Sequence, residues 1–278
     1  MRTGQYSYRD SFLAVIVTNL PRPRGLFMEF FPLGEPTRFQ SYYRLRQFQD
    51  AVQNELQSTL YLGPFRQPPQ RSYPTRGASP TEVGTFGEST ITLIANEVIQ
   101  SRSRGSLDQI NDWLNYLKIG ENLDVRRIPQ SDLFDIRITL EDDNAFPLPD
   151  LGYGTSQVLP VLAQCSYCQP KSTLLFEQPG LHLHSIAARG LASVFIETAK
   201  QKHCNIVAET HSPDLLRQMQ RELRDGNISI DDVAAYKVDR YDSSSHIRRI
   251  PIGDDDYDIL DSWEDGLTRP HITNEITT

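Results

Sequence analysis

The chain has 278 residues, enough for one large or two small domains. Its formal net charge of -8 at pH 7 argues against a generally basic nucleic-acid surface. No apolar run reaches the roughly 18 residues that a membrane-spanning helix needs, and three cysteines are too few for a disulfide framework and indicate a reducing compartment. We therefore expect a cytoplasmic protein without a membrane partner.

The first half of the chain alternates between periodic and turn-rich segments. A strand is predicted from Ser11 to Val17, and apolar residues three to four apart predict an amphipathic helix from Thr37 to Leu60. Residues 63–90 are rich in Gly, Pro, Ser, Thr and Arg, which is typical of a loop. Two helices are expected after this loop, over residues 91–100 and 107–117.

The second half predicts strands and helices in alternation. Alternating apolar residues from Leu133 to Leu140 predict a strand, near which we place the start of an α/β core. A helix is expected over residues 213–224, followed by two strands, 233–238 and 246–252, that form a hairpin at a sheet edge. These elements divide the chain into N-terminal strands and a helix (1–60), a loop and helical lobe (61–129), and an α/β core (130–278).

The run from Ser172 to Glu177 is the segment around which the rest of the chain is organised. It is apolar without alternation and ends in an acid, which predicts a strand buried on both faces of a parallel sheet. A turn at Gln178-Pro-Gly and a helix after His184 follow it. Ligands of open α/β sheets bind at the carboxyl ends of such strands, so Glu177 is either a site residue or a cap of its own turn.

Two further segments lie on either side of this run. Downstream, a second apolar strand beginning at Cys204 ends in Glu209-Thr-His-Ser. Upstream, the segment from Asp150 to Pro160 contains a glycine-rich turn that leads into a helix. We expect Thr155 or Ser156 to cap that helix, and Pro160 to lie in its first turn or just beyond it.

Together these segments resemble the C-terminal half of an ABC-type ATPase, in the SMC-like and OLD-type branch of the P-loop ATPases. Leu-Leu-Phe-Glu-Gln-Pro-Gly-Leu-His-Leu-His, which begins at Leu174, and Glu-Thr-His-Ser look like that branch's Walker B, D-loop and switch-histidine segments. The resemblance covers about residues 55–270. It implies an α/β fold, with a partial P-loop NTPase sheet of ABC/RecA type flanked by helices, a helical lobe, and a site for ATP and Mg²⁺.

The resemblance also implies roles for the residues at the strand ends. Glu177 corresponds to the Walker B acid that holds Mg²⁺ through water, and His211 to the switch histidine that hydrogen-bonds the γ-phosphate. Gln178 takes the place of the usual catalytic glutamate; its amide can orient water but cannot accept a proton. Glu209 is then the nearest alternative base, unless hydrolysis is slow and ATP acts as a switch.

The glycine-rich turn corresponds to the segment that contacts the γ-phosphate held by the opposite protomer. A helix N-terminus with free N–H groups, approached closely through glycine, suits an anion. The residues that the resemblance assigns to this contact are Gly152, Gly154, Thr155, Ser156 and Gln157.

No phosphate-binding P-loop is present in the sequence, because no lysine follows a glycine. We therefore expect a fragment, a truncated product or one half of a split protein that binds ATP weakly alone. It would pair as a homodimer, or as a heterodimer with a P-loop-bearing protein. The alternatives are a non-enzymatic subunit that regulates such a partner or a DNA-acting effector, and a nuclease that uses the acidic run at 254–258, which we interpret as a solvated charge patch.

Two short motifs have the spacing of metal ligands. His182 and His184 lie two apart, and Cys165 and Cys168 form a Cys-x-x-Cys pair whose nearest complement in sequence is His203-Cys204. Each offers too few ligands for a zinc site, so we expect structural roles for both.

Overall fold

The computed structural model describes residues 12–17, 38–75, 79–100, 104–140, 142–241 and 244–252. The acidic run at 254–258 and the N-terminal and C-terminal segments outside these ranges are not among them. Among the residues that the structure describes, no helix combines the length and apolarity that crossing a membrane requires.

A six-stranded mixed sheet is the main structural layer, with strand order β10-β9-β1-β8-β7-β2. Strands β2, β7 and β8 run parallel to one another, whereas β1 is antiparallel to both β8 and β9. The expected edge hairpin is present as β9 and β10. The bounds of these strands are β1 Phe12–Val17, β2 Thr59–Leu62, β7 Thr173–Glu177, β8 Asn205–Thr210, β9 Val233–Tyr241 and β10 Ser244–Ile250.

Six α-helices accompany the sheets in the described ranges, and their ends follow from local chemistry. The helix after His184 begins there because a His184 ring nitrogen accepts a hydrogen bond from the Ala187 N–H. The last helix starts at Pro213, where proline is tolerated, and is followed by Gly226 at φ +73°. The helices are α1 Arg38–Gln57, α2 Thr90–Gln100, α3 Gly105–Tyr116, α4 Tyr153–Tyr167, α5 Ser185–Lys202 and α6 Pro213–Arg224.

A second, smaller sheet was not expected. Strand β5 pairs with three short neighbours and does not join the main sheet, so the α/β core does not begin with it. Its alternation buries Phe134, Ile136 and Ile138 on one face only, as in an antiparallel sheet with one solvated side. The strands are β3 Tyr73–Pro74, β4 Asn122–Arg127, β5 Leu133–Thr139 and β6 Ala145–Pro147.

Helices α4 and α5 pack beside the strand that carries Glu177. The Phe176 ring of β7 stacks on Phe195 of α5, with ring centroids 5.2 Å apart. Helix α4 is buried continuously from Ser156 to Ser166, and Pro160 lies in its interior and not near its first turn, contrary to the prediction. The buried strand, its following helix and α4 therefore form one apolar unit that fixes the carboxyl end of β7.

Candidate functional site

The carboxyl ends of β7 and β8 lie side by side, and we call this edge of the main sheet the rim. The two strands are parallel neighbours in which Glu177 pairs in register with Glu209. Both strands therefore end at the rim, and a loop follows each of them. The sequence predicted that Glu177 lies at the end of a strand, because the apolar run that begins at Ser172 ends in this acid.

The turn after β7 brings the other rim residues together. Gln178 has a left-handed backbone, with φ +48°, and its N–H donates a 2.8 Å hydrogen bond to the Glu209 carbonyl. Its side-chain Oε1 accepts a 3.3 Å hydrogen bond from the His211 N–H. The sequence-predicted residues Glu177, Gln178, Glu209 and His211 thus form one contiguous group.

Arg66 anchors this turn from the loop that follows β2. It is 2% exposed, and its guanidinium donates hydrogen bonds to the Glu177 carbonyl (2.8 Å) and the Gln178 carbonyl (2.9 Å). Burial lowers the pKa of Arg66 to about 10, partly opposed by the neighbouring charge of Glu177. Burial of the charged Arg66 guanidinium therefore costs desolvation free energy. Its main role is to donate hydrogen bonds to two backbone carbonyls.

Tyr61 contacts the Glu177 carboxylate directly. Its hydroxyl donates a 2.7 Å hydrogen bond to Oε1 of Glu177. The pKa of Tyr61 is raised, first by this hydrogen bond and then by burial and the charges of Glu177 and Glu209. The phenol is consequently held in its protonated, donating form at neutral pH.

The glycine-rich turn at residues 152–156 opens helix α4 differently from the prediction. Gly152 is the N-cap, and no side chain caps the helix, so neither Thr155 nor Ser156 has that role. The Ser156 hydroxyl instead donates to the Tyr153 carbonyl at 2.8 Å. Gln157 is 1% exposed and faces the protein interior, so its side chain does not reach a ligand at the surface.

The same turn packs against the loop that follows Gln178. A Cβ placed on Gly154 would lie 2.5 Å from the His182 carbonyl oxygen, so only glycine permits this approach. The Tyr153 ring meets the His182 ring edge to face, at 4.9 Å between centroids. Gly154 therefore lies against His182. We call the surface formed by the turn at residues 152–156 and by His182 the helix-start surface.

The residues of the two motifs with metal-ligand spacing have other contacts in the structure. His182 has φ +64° and packs on Tyr153, whereas His184 caps α5, so the pair does not act together. The Sγ atoms of Cys168 and Cys204 lie 3.7 Å apart in the core. Within the described ranges, no group of three or more His, Cys, Asp or Glu residues is arranged to hold a metal ion.

The rim suits Mg²⁺ only as part of a nucleotide complex. Glu177 and Glu209 offer carboxylate oxygens, the ligand type that Mg²⁺ prefers, but two carboxylates leave most of an octahedral shell to water and phosphate. That is the usual arrangement of phosphoryl-transfer sites, in which one or two carboxylates and the substrate's phosphates share the ion. The residues present therefore fit a cation that arrives with ATP.

Sequence reasoning missed two rim residues. Tyr61 and Arg66 are separated from Glu177 by 116 and 111 positions, and each contact depends on β2 pairing in parallel with β7. No local pattern in the sequence marks either residue.

Comparison with known proteins identifies a family for the central segment. Residues 85–217 match the family described as "AAA domain, putative AbiEii toxin, Type IV TA system". This segment includes the glycine-rich turn, both rim strands and His211. A comparison with curated proteins found no match.

Three solved structures that are similar to parts of this chain are of SMC proteins. One, from work on ATP-driven dimerization and DNA-stimulated activation of SMC ATPases, has a TM-score of 0.43 and 13% identity over 60% of this chain and 94% of that chain. The Smc head domain of Pyrococcus yayanosii has a TM-score of 0.37 and 11% identity over 53% and 27% of the two chains. The Pyrococcus furiosus Smc head, bound to part of ScpA, has a TM-score of 0.39 and 14% identity over 59% and 41%.

Proposed function

We propose that this chain, whose residues 85–217 match an AAA-domain family, belongs to the ABC-type P-loop ATPases and provides part of a composite ATP·Mg²⁺ site. In this proposal the rim binds the cation and senses the γ-phosphate. The helix-start surface contacts a nucleotide held by a second protomer. The phosphate-binding loop comes from outside these 278 residues.

The observation that carries the proposal is the assembly of four polar residues at the rim. Glu177, Gln178, Glu209 and His211 come from two strand ends that are 33 positions apart and meet through direct hydrogen bonds and strand register. A turn with a left-handed, non-glycine residue held by a buried arginine is costly to build. Its presence at a strand end supports a binding site over an ordinary capped loop.

The helix-start surface supports a role toward a second protomer. Gly152 has no atom within 4 Å of an added Cβ and therefore lies in open space, with Tyr153 53% exposed beside it. The backbone N–H groups at the start of α4 are the positive end of a 15-residue helix. Such an uncapped helix start would bind the terminal phosphate of a nucleotide brought to it.

The hydrolytic step would depend on Glu209. The side-chain amide of Gln178 is held by the hydrogen bond that its Oε1 accepts from the His211 N–H. An amide can orient a water molecule but cannot accept its proton. Glu209 is adjacent in register to Glu177 and keeps a carboxylate at the rim. We propose that Glu209 accepts the proton of the attacking water; a Mg²⁺ ion held at Glu177 together with ATP would supply charge neutralisation for the phosphoryl group.

A second candidate is a non-enzymatic subunit that regulates a P-loop-bearing partner. Gln178 at the position of the usual base favours it, because a site that binds ATP·Mg²⁺ without rapid hydrolysis acts as a switch. The family's description as a putative toxin of a toxin–antitoxin system makes phage defence a proposed setting for either function.

The experiment measures nucleotide and cation binding by the full chain. We expect no micromolar ATP binding and no steady turnover, because the phosphate cradle is absent from the sequence. We also expect Mn²⁺, used as a paramagnetic substitute for Mg²⁺, to bind weakly at the rim, and only when ATP is present in excess. Glu177→Gln should abolish this binding, and the exposed Glu121→Gln serves as the matched control.

Two results would contradict the proposal. Tight ATP binding with turnover that Glu177→Ala abolishes would show a complete site within this chain. Equal Mn²⁺ binding by wild type and Glu177→Gln would remove the rim from the mechanism.

A further inference from the structure

Two of the buried cysteines meet in a pairing that their spacing in the sequence does not indicate. Cys168 belongs to the Cys-x-x-Cys motif with Cys165, yet its Sγ atom lies 3.7 Å from that of Cys204, which is 36 positions away. Cys168 is the residue that ends α4, and Cys204 directly precedes β8. A disulfide between them requires the two sulfur atoms to approach by roughly 1.7 Å, to a bond length of about 2.05 Å.

A positive charge lies beside this pair. Lys202, at the end of α5, donates hydrogen bonds to the carbonyls of Cys165 (3.0 Å) and Cys168 (3.3 Å) and to that of Ser166. The hydrogen bond with Cys168 lowers the pKa of the Cys204 thiol from 9.0 to about 7, and the charge of Lys202 adds to this effect. The same hydrogen bond and burial raise the pKa of Cys168. At neutral pH the pair therefore combines a thiolate at Cys204 with a thiol at Cys168.

The pair lies one residue below the surface. Cys204 is buried completely and Cys168 is 5% exposed, whereas their chain neighbours Gln169 and His203 are both exposed. The Cys204 Sγ atom lies 3.5 Å from the Gln169 carbonyl oxygen. Only the exposed segment that follows α4 thus separates the thiolate from solvent, so a water-sized oxidant is the reagent suited to reach it.

We propose that Cys168 and Cys204 form a reversible disulfide when the protein meets hydrogen peroxide. The Cys204 thiolate attacks one peroxide oxygen, the O–O bond breaks, and the products are a sulfenic acid at Cys204 and hydroxide. Cys168 then attacks that sulfur, so the S–S bond forms, the S–O bond breaks, and the hydroxyl leaves as water with the Cys168 proton. The hydroxide takes up the proton that Cys204 had released. Two thiols are oxidised, one peroxide is reduced, and two water molecules form.

This bond would tie two elements that lead to different surfaces. Helix α4 begins at the helix-start surface and ends at Cys168, whereas β8 begins after Cys204 and ends at the rim. A transient bond that responds to oxidant is the usual form of a disulfide in a reducing compartment. Its formation requires no nucleotide at either surface and is therefore independent of the proposed ATP site.

The test exposes the folded full chain to a small excess of hydrogen peroxide, removes the excess with catalase, and counts free thiols after unfolding in guanidinium chloride. The count should fall from three to one in wild type and return to three with dithiothreitol. Mass spectrometry of the digested chain should show the peptides of Cys168 and Cys204 joined. Cys165→Ser is the matched control that keeps the pair and should lose both of its remaining thiols, whereas Cys204→Ser should keep both of its own.

Three results would overturn the proposal. The first is a wild-type count that stays at three. The second is a loss of thiols that dithiothreitol does not reverse, which indicates sulfinic or sulfonic acids in place of a disulfide. The third is a bond that joins Cys165 to Cys168. Peptide mapping of the wild-type chain distinguishes these results even where a serine variant does not fold.

Discussion

Replacement of Arg66 by methionine tests whether a buried cation holds the rim turn in place. The side chain is 2% exposed and donates two short hydrogen bonds to the carbonyls of Glu177 and Gln178. Methionine fills much of the same volume but leaves both carbonyls without these donors. We expect the turn to lose its left-handed geometry at Gln178 and the whole domain to lose stability.

The magnitude follows from two opposing terms. Each carbonyl left without its charged donor costs about 1–3 kcal/mol. Against this, the pKa of Arg66 falls from 12.5 to about 10 through burial, which corresponds to roughly 3 kcal/mol of desolvation that methionine relieves. The two lost hydrogen bonds together cost about 2–6 kcal/mol, which exceeds this relief over most of its range, so we expect a net loss of about 2 kcal/mol in the free energy of unfolding. The Gln178 carbonyl keeps the hydrogen bond that it accepts from the Leu181 N–H. The depressed pKa lies near 10, so the arginine stays charged and the loss is the same at pH 7 and 8.

Urea unfolding of the full chain measures this loss. Arg66→Lys keeps the charge but lacks the planar fork that reaches two carbonyls, so it should lose about 1 kcal/mol. Arg126→Met is the control, because that arginine is about half exposed in a surface ion pair with Asp124 and should change stability by less than about 0.5 kcal/mol. If Arg66→Met matches this control, the turn is held by something other than the guanidinium. Faster amide exchange of Leu181, whose N–H donates to Gln178, would localise the effect.

Two further predictions concern the helix-start surface and the buried cysteines. Gly154→Ala should destabilise the chain by about 1–3 kcal/mol in thermal unfolding, because its Cβ would overlap the His182 carbonyl, whereas Gly152→Ala should be neutral; equal effects would contradict the packing. Cys204 has its pKa lowered from 9.0 to about 7 by its hydrogen bond with the Cys168 thiol, so between pH 7 and 8 the unfolded chain binds more protons and stability should rise with pH. Nearer pH 9 the raised pKa values of Cys165 and Cys168 oppose this rise. Urea unfolding at pH 7, 7.5 and 8 should show the rise in wild type and in Cys165→Ser but not in Cys204→Ser.

The elements around the rim could be predicted because their signals are local. Strands β7 and β8 are short apolar runs that carry an acid as their last or next-to-last residue, and α5 and α6 begin at a histidine cap and at a proline. Strand β4 was missed because it is polar, with Leu123 its one fully buried residue, and so lacks an apolar pattern. Strand β5 has a clear alternation and was predicted. That alternation does not reveal which sheet the strand joins, so it could not locate the start of the α/β core.

The contacts that complete the site could not be predicted from local patterns. Tyr61 and Arg66 meet Glu177 only because β2 pairs with β7, and no spacing in the sequence encodes that pairing. The same holds for Gly154, whose glycine-rich turn suggested a phosphate contact, whereas the structure shows a close approach to His182. A glycine can serve both purposes, because absence of a Cβ lets two backbones meet while the helix start stays open.

The direction of β1 limits how the nucleotide site can be completed. A phosphate-binding loop at the rim must follow a strand that ends there, as β7 and β8 do. Strand β1 runs the opposite way: Leu13 pairs with Thr210 at the rim, and Val17 pairs with Ile206 at the far edge. Since β7 and β1 occupy both sides of β8, a loop-bearing strand could join β8 only by replacing β1. Within the described residues, a strand added to the sheet as it stands would pair at the β2 edge or the β10 edge. In the composite site that we propose, the phosphates instead reach Glu177 and His211 from across an interface with another protomer.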